Sequence, residues 1–526
     1  MNFIEEIIKN DNLPNVGNFR FPPEPNKMDI KNNKGGLHIG HAKSVFLNYG
    51  LAEKYNTECF LRFDDTNPLS ESSEAEAGII KDIKWLIKKE PIVKRASDNF
   101  EFIYKCAVKL IENGLAYIDF STSEEIANGK GTPVTNGTPN KYRSYSIEDN
   151  LKIFNDMYLG KYKEGEVVLR AKIDLNSPNM IMRDPILYRI ISKEHHTTKD
   201  KWRIYPMYDF AHPICDYLED IKYSLCTLEF EVHRPLYEWV LEKSELSGPR
   251  QIEFARLNLE YALTSKRKIK ELIESNVVSD ISDPRLFSIA ALKRRGYTAD
   301  SLKNFCEKIS VTKNNSLTSI DLLEECLRDD LNKSSKRFMG VFDPIKLTLV
   351  NYSGSELLDI ENNPEDTALG NRKVSFSSNL LIERDDYLDT DDKKWFRLKP
   401  GGLVRLKGAY IIACLGVNRN EMGDVVEVLA EYIPETKSGL KTDIKAKGTI
   451  HWIDGNNYNE FILNEFSYLF KDKDNFGELN DASIVKSKVL IEKITLPEEE
   501  TFQLIRKGYY ITDSIIGEIN KTIGIK

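Results

Sequence analysis

The spacing of apolar positions divides the chain into a mixed front half, a helical middle and an alternating rear third. Phe19 and Phe21 flank Arg20 as in a short strand, and Pro22, Pro23 and Pro25 stop its pairing. Ala42, Val45, Phe46 and Tyr49 recur at i, i+3, i+4 and i+7, which predicts a helix behind His41. Thr57 to Phe63 is the next strand, ended by the turn-rich run Asp64-Asp-Thr-Asn-Pro68. Strand, helix, strand predicts a parallel crossover unit, and such sheets bind ligands beyond the carboxyl ends of their strands. Arg20, Glu24, Asn26, His38, His41 and Asp64 all fall at that rim.

Helical spacing returns from Glu71 to Lys88 and from Phe100 to Gly114, through Phe102, Cys106 and Leu110. Ser121 to Asn140 is loop chemistry, rich in Ser, Thr, Gly, Asn and Pro. Strand patterns follow at Val167–Ile173 and Ile186–Ile191, so residues 95 to 205 are expected to form a small mixed domain interrupting the sheet domain. The sheet pattern is expected to resume at Trp202–Cys215, Ser224–Phe230 and Phe254–Glu260. From Asp283 to Asn332 the pattern is helical. Gly296 closes one helix, Leu302, Phe305, Cys306 and Ile309 mark the next, and Ile320, Leu323, Leu327 and Leu331 stripe a third. Beyond Arg337 the period becomes two, in Ile345, Leu347 and Leu349 and again in Val404 and Leu406, which predicts one or two small β-barrels.

Composition narrows the class further. A chain of 526 residues exceeds one core and suggests roughly three to four domains. With 41% apolar and 30% charged residues it reads as an ordinary soluble protein, and it contains no apolar run of the ~18 residues that span a bilayer. Met1 to Asn10 lacks the basic segment and apolar core of a secretory signal, so a cytoplasmic location is expected. Cys59, Cys106, Cys215, Cys226, Cys306, Cys326 and Cys414 are dispersed and never spaced as a zinc-binding pair, which points to reduced thiols. The net charge of −8 argues against indiscriminate coating of nucleic acid but leaves local basic patches open.

Candidate chemistry concentrates at Leu37-His-Ile-Gly-His41, which stands at the start of the first long helix. A helix start presents unsatisfied N–H groups and the positive end of the dipole, so it attracts phosphates. Two imidazoles there can follow charge building on a phosphoryl oxygen; they can equally cap the helix or bind a metal. A second concentration, Thr264-Ser-Lys-Arg-Lys268, follows the last sheet strand, and its cations suit either a solvated face or the other half of a phosphate site.

Together these stretches resemble the two signature motifs of class I aminoacyl-tRNA synthetases, and their surroundings are similar to the glutaminyl branch of that family. The likeness rests on Arg20-Phe-Pro-Pro-Glu-Pro-Asn26, Leu61-Arg-Phe-Asp-Asp-Thr-Asn-Pro68, Ile204-Tyr-Pro-Met-Tyr-Asp-Phe210, Ser224-Leu-Cys-Thr-Leu-Glu-Phe230 and Arg256-Leu-Asn-Leu-Glu-Tyr261. Arg294-Arg-Gly-Tyr297, Asp343-Pro344 and Ile450-His-Trp452 extend it across nearly the whole chain.

The resemblance implies an α/β fold: a Rossmann-type parallel-sheet catalytic domain (1–94 and 206–262), an inserted acceptor-stem domain (95–205), a signature loop with helical subdomain (263–337), and two C-terminal β-barrel anticodon-binding domains (338–526). It implies catalysis by His38, His41 and Lys266. The ATP site would comprise Glu24, Pro25, Asn26, His38, Ile39, Gly40, His41, Ala42, Lys43, Ser44, Thr227, Arg256, Leu257, Thr264, Ser265 and Lys266. Glutamine would be held by Arg20, Asp64, Tyr208 and Gln251, and the anticodon by Arg337, Arg397, Lys407, Gln503 and Arg506. The implied partners are ATP with Mg²⁺ as its substrate complex, L-glutamine and tRNA(Gln); no protein-bound metal is expected, and a monomer is.

Departures from the family pattern are Lys27 to Gly36, a polar insertion in place of a tight turn; Thr264, where methionine is usual; Val232, where some members carry an acidic residue; and Lys407, where arginine is common. The neighbouring glutamyl branch and a non-catalytic tRNA-binding relative stand as alternatives, against which Ser224–Phe230 with Gln251 and the intact His38, His41 and Lys266 weigh respectively. A nucleotidyltransferase with a similar histidine motif would not need the long β region after Asp343.

Overall fold

Residues 2–26, 36–390, 392 and 394–526 are described by the computed structural model, so the insertion at 27–36 lies, apart from Gly36, outside the described residues. The chain forms two compact units: one of residues 1–281, 287–290 and 303–319, the other of 282–286, 291–302 and 320–526. The middle helical region therefore contributes to both.

In the first unit, helix α1 (Phe3–Asp11) precedes β1 (Phe19–Phe21), α2 (Ile39–Tyr55), β2 (Cys59–Phe63), α3 (Ser73–Ile87) and β3 (Ile92–Arg95). The strands pair in parallel in the order β1-β2-β3; the crossover β1-α2-β2 is the one the sequence predicts, and β3 extends it. Every residue of β2 is buried, Arg62 included, as befits a parallel strand covered on both faces. Next come α4 (Phe100–Glu112), β4 (Ala116–Asp119), α5 (Ser123–Gly129), α6 (Ile147–Tyr158), β5 (Val168–Ala171), β6 (Ile186–Ile190) and β7 (Ile204–Pro206). Strands β4 to β7 make an antiparallel sheet, with Phe100, Phe154, Tyr188 and Trp202 in its core.

Three sheet expectations need correction. Of Trp202–Cys215 only β7 is a strand, and it closes the antiparallel sheet; Tyr208–Leu218 is helix α7, which buries Phe210, Ala211, Ile214 and Cys215. Those four positions repeat at helical spacing, a signal masked by the aromatic residues and Pro213 around them. Ser224–Phe230 is a strand only to Thr227 (β8, Tyr223–Thr227), after which a 3₁₀ turn leads into α8 (Arg234–Lys243). Phe254–Glu260 is not one strand: Phe254 ends β9 (Arg250–Phe254), which pairs in parallel with β8, and Asn258–Leu259 form a separate two-residue strand paired with Leu317–Thr318. An isolated parallel bridge from Asn18 to Ile221 joins the lead-in of β1 to that of β8. Helix α9 (Lys266–Glu274) follows.

In the second unit, the helix Ile320–Ser334 buries Ile320, Leu323, Leu327 and Leu331, the stripe read from sequence. Gly296 ends the helix Ile289–Arg295 at φ +99°, a conformation that favours glycine, and a Cβ there would strike Thr522. The alternating region folds into two seven-stranded sheets and a two-stranded hairpin, Ser355–Glu361 with Asn371–Ser377. Strands Arg337–Phe338 and Gly340–Val341 pair with the C-terminal strands 458–524, while residues 344–454 supply the other sheet. One module is thus set within the other. All seven cysteines are buried and unbridged, and no helix among the described residues is long and apolar enough to cross a membrane.

Candidate active site

His38 is the N-cap of α2, and its Nδ1 accepts from the Gly40 N–H at 3.1 Å while the Nδ1 of His41 accepts from the His38 N–H at 3.1 Å. The two rings stack with centroids 3.8 Å apart. With each Nδ1 used as an acceptor, a neutral ring carries its proton on Nε2, so both histidines present an Nε2–H donor. Burial, followed by the nearby Lys266 cation, pushes His38 down to about 4, and burial with His38 and Lys266 holds His41 well below its ordinary value. Lys266, first residue of α9, is itself lowered by burial and supported by the Glu24 carboxylate.

The backbone before this cap is pinned. The Ile39 N–H donates to the Phe287 carbonyl at 2.9 Å, the Ile289 N–H to Leu37 at 2.8 Å, and the Leu37 N–H to the Asp82 carboxylate at 2.9 Å. Gly40 is required here by close approach: a Cβ would lie 2.9 Å from Cε1 and 3.0 Å from Nδ1 of His38. Gly40→Ala should therefore displace the His38 ring while leaving the fold intact. On the activity the sequence resemblance implies, the expected result in ATP–pyrophosphate exchange is a fall of about 10²-fold in kcat, with an unchanged melting temperature.

A histidine whose pKa is depressed from 6.5 to about 4 has a defined pH signature. Between those values the unfolded chain binds the proton and the folded one does not, so stability from this group is full above pH 6.5 and is lost as pH falls toward 4. Melting temperature should fall across that window.

The Asp64 end of the rim is built on a buried charge network. Arg62 donates from Nε to Asp64 Oδ1 at 2.9 Å and from Nη1 to Asp216 at 2.6 Å. Arg20 donates to the same Asp216 from Nε at 3.1 Å and from Nη2 at 3.2 Å, and to Ser224 Oγ at 2.6 Å. Asp216 also accepts from Ser224 Oγ at 2.6 Å and Tyr237 Oη at 2.9 Å, with His212 Nε2 at 2.9 Å. Asp216, Arg20 and Arg62 are all fully or almost fully buried, and the two guanidiniums hold the Asp216 carboxyl well below the usual carboxylate range against the opposing effect of burial. Nothing in the sequence singled Asp216 out. Asp64 Oδ2 is buried with no hydrogen-bond partner, an acceptor awaiting a donor. Tyr208 lies near Asp64, whose charge, after burial, raises the phenol well above its ordinary value, and its ring meets His212 and Phe230.

The remaining predicted residues divide. Glu24 and Asn26 face each other across a 2.5 Å side-chain hydrogen bond, and Pro25 accepts the Ser72 N–H. The Leu257 carbonyl lies 3.9 Å from where a Gly40 Cβ would stand, so Leu257 flanks the start of α2, where Ile39 and Ala42 are buried and Ser44 is half-buried. Ser265 caps α9 beside half-buried Thr264. Thr227 ends β8. Lys43, in contrast, is buried and donates from Nζ to the Ala255 carbonyl at 3.0 Å, tying α2 to the end of β9. Arg256 is exposed and turns to Asn258 and Glu229. Gln251 donates to the Phe230 carbonyl at 3.0 Å and to Glu253 at 2.9 Å, and Phe230 in turn packs against the Tyr208 ring.

In the second unit, Arg337 and Gln503 stand directly opposite in paired strands, and Tyr509 faces Gln503 on the other side. Arg337 pairs with Glu365 at 3.0 Å. Arg397 and Arg506 share Asp386, at 3.3 Å and 2.5 Å, and Lys407 stands 3.7 Å from Glu361. Each of these four cations is thus held by a carboxylate.

Residues 18–333 match the family model of the class I tRNA synthetase (E and Q) catalytic domain, and residues 335–433 and 449–513 match two anti-codon binding domain models of the same group. The chain belongs to the class I tRNA synthetases of the E and Q group. It is 46% identical to a glutamine–tRNA ligase of Clostridium perfringens over 94% of this chain and 90% of that protein. It is 45% identical to one of Cupriavidus necator over 96% and 91%, and 44% identical to one of Clostridioides difficile over 98% and 94%.

Proposed function

We propose that the chain is a glutamine–tRNA ligase, which activates L-glutamine with ATP and transfers it to the 3′ adenosine of tRNA(Gln). The observation that carries this reading is the 46% identity to a glutamine–tRNA ligase, running through the catalytic and anticodon-binding parts alike. In the first step the glutamine carboxylate attacks the α-phosphorus of ATP, a mixed anhydride forms and pyrophosphate leaves. His38 and His41 donate Nε2–H groups, and Lys266 a cation, to the phosphoryl oxygens as charge builds there. Mg²⁺ enters with ATP as part of the substrate. Asp64 takes the α-ammonium on its open Oδ2, while Tyr208 and Arg20, assisted by Gln251, define the side-chain end. In the second step a ribose hydroxyl of the tRNA attacks the anhydride carbonyl, an ester forms and AMP leaves.

The order β3-β2-β1-β8-β9 is read as the Rossmann-type sheet, and β4 to β7 with α4 to α6 as the acceptor-stem insertion, which then ends at Pro206 with β7. The helical subdomain runs from 263 to 337, and the two seven-stranded sheets are read as anticodon barrels. Arg337 with Gln503, Arg397 with Arg506, and Lys407 would contact splayed anticodon bases by exchanging their carboxylate partners for base edges. ATP–pyrophosphate exchange tests the reading. Exchange that depends on glutamine supports it; exchange with glutamate alone, with or without tRNA, overturns it.

A further inference from the structure

His195 is fully buried in the loop before β7, far in sequence from any predicted site residue but Tyr208. Its Nδ1 accepts from the Thr197 and Thr198 N–H groups at 3.1 Å each, which leaves the proton on Nε2. That Nε2–H donates to the Asp65 carbonyl at 2.8 Å. The loop is closed on itself by reciprocal hydrogen bonds between His195 and Lys199, and it touches the same turn again where Lys193 Nζ donates to the Leu69 carbonyl at 3.2 Å. From the other side, the Asp65 carboxylate accepts from the Ser97 N–H at 2.8 Å and from Ser97 Oγ at 2.5 Å. The residue next to Asp64 is therefore clamped between two elements, and the Asp64 side chain is held through Oδ1 by Arg62 while its N–H donates to the Pro23 carbonyl at 3.3 Å.

The surrounding side chains have the composition of a cation site, with ligand atoms of Glu71, His195 and His196 within 4.8 Å of one another. Both ring nitrogens of His195 are engaged, however, so it acts as a hydrogen-bond hub and offers no free ligand lone pair.

We propose that His195 is a positioning residue for glutamine, fixing the Asp64–Asp65 turn so that the open oxygen of Asp64 meets the α-ammonium. The inference rests on the reading of Asp64 as the ammonium acceptor. His195→Asn keeps an acceptor for the loop's own N–H groups but cannot reach Asp65, whereas His195→Gln restores a donor at that reach. In pyrophosphate exchange, His195→Asn should raise the KM for glutamine about tenfold, with kcat and the KM for ATP nearly unchanged, and His195→Gln should restore most of the affinity. An unchanged KM in His195→Asn, or an equal loss in His195→Gln, overturns the proposal. Asp64→Asn separates the two levels: if it leaves the KM for glutamine unchanged, the reading of Asp64 fails; if it raises that KM while His195→Asn does not, only the role of His195 fails. Should His195→Asn not fold, exposed Lys193→Met loosens the same turn and should raise the KM about threefold; no change would count against the clamp.

Discussion

Lys266→Ala is expected to lower the rate of glutaminyl-adenylate formation by about 10³-fold while tRNA binding is retained. The expectation follows from charge. As the carboxylate attacks, negative charge grows on the α-phosphate and on departing pyrophosphate, and in the proposed mechanism two neutral imidazole donors and one cation meet it. Burial keeps both histidines unprotonated, so Lys266 supplies the only full positive charge of that trio. Its side chain, though partly desolvated by its neighbours, is solvent-exposed at the N-terminus of α9 and packs in no hydrophobic core, so its loss should not disturb folding. Single-turnover quench-flow with filter-bound tRNA measures both quantities; full activity in the variant would remove Lys266 from the chemistry.

The second large effect is on stability. Asp216→Asn should destabilise the first unit by about 3–5 kcal/mol, since it leaves the buried guanidiniums of Arg20 and Arg62 without their shared counter-ion. On the proposed role of Asp64, glutamine binding should fail with it, because Arg62 also hydrogen-bonds Asp64. The wild-type carboxyl has a depressed pKa, so its contribution is present above the unfolded-chain value near 4 and is lost as pH falls below it. Thermal melts of the two proteins should therefore differ most at neutral pH and converge in acid. Equal melts at pH 7 would mean that the network has another anchor.

The contrast between these two residues explains what the sequence could reveal. Lys266 sits in a short local motif whose meaning comes from residue types at fixed spacing. Asp216 carries no local pattern: its partners lie 196 and 154 residues away, and only folding brings them together. The same holds for His195 and Asp65, 130 residues apart, and for the facing of Arg337 and Gln503, which strand register alone decides. The helix at Ile320–Ser334 is legible because it buries a repeating stripe, whereas α2, legible by its length and its histidine start, buries residues around much of its circumference and leaves Phe46 and Tyr49 half-buried. Short strands such as β3 and β4 were not, since four residues give no usable period. Helix α7 was misread because a brief apolar run does not distinguish a strand from a buried helix.

Charging of a tRNA(Gln) transcript in an equimolar mixture of glutamine and glutamate, with the esterified amino acid identified by mass, tests the central claim most directly. Glutaminyl-tRNA as the product is the predicted result; glutamyl-tRNA, or no ester at all, would contradict it.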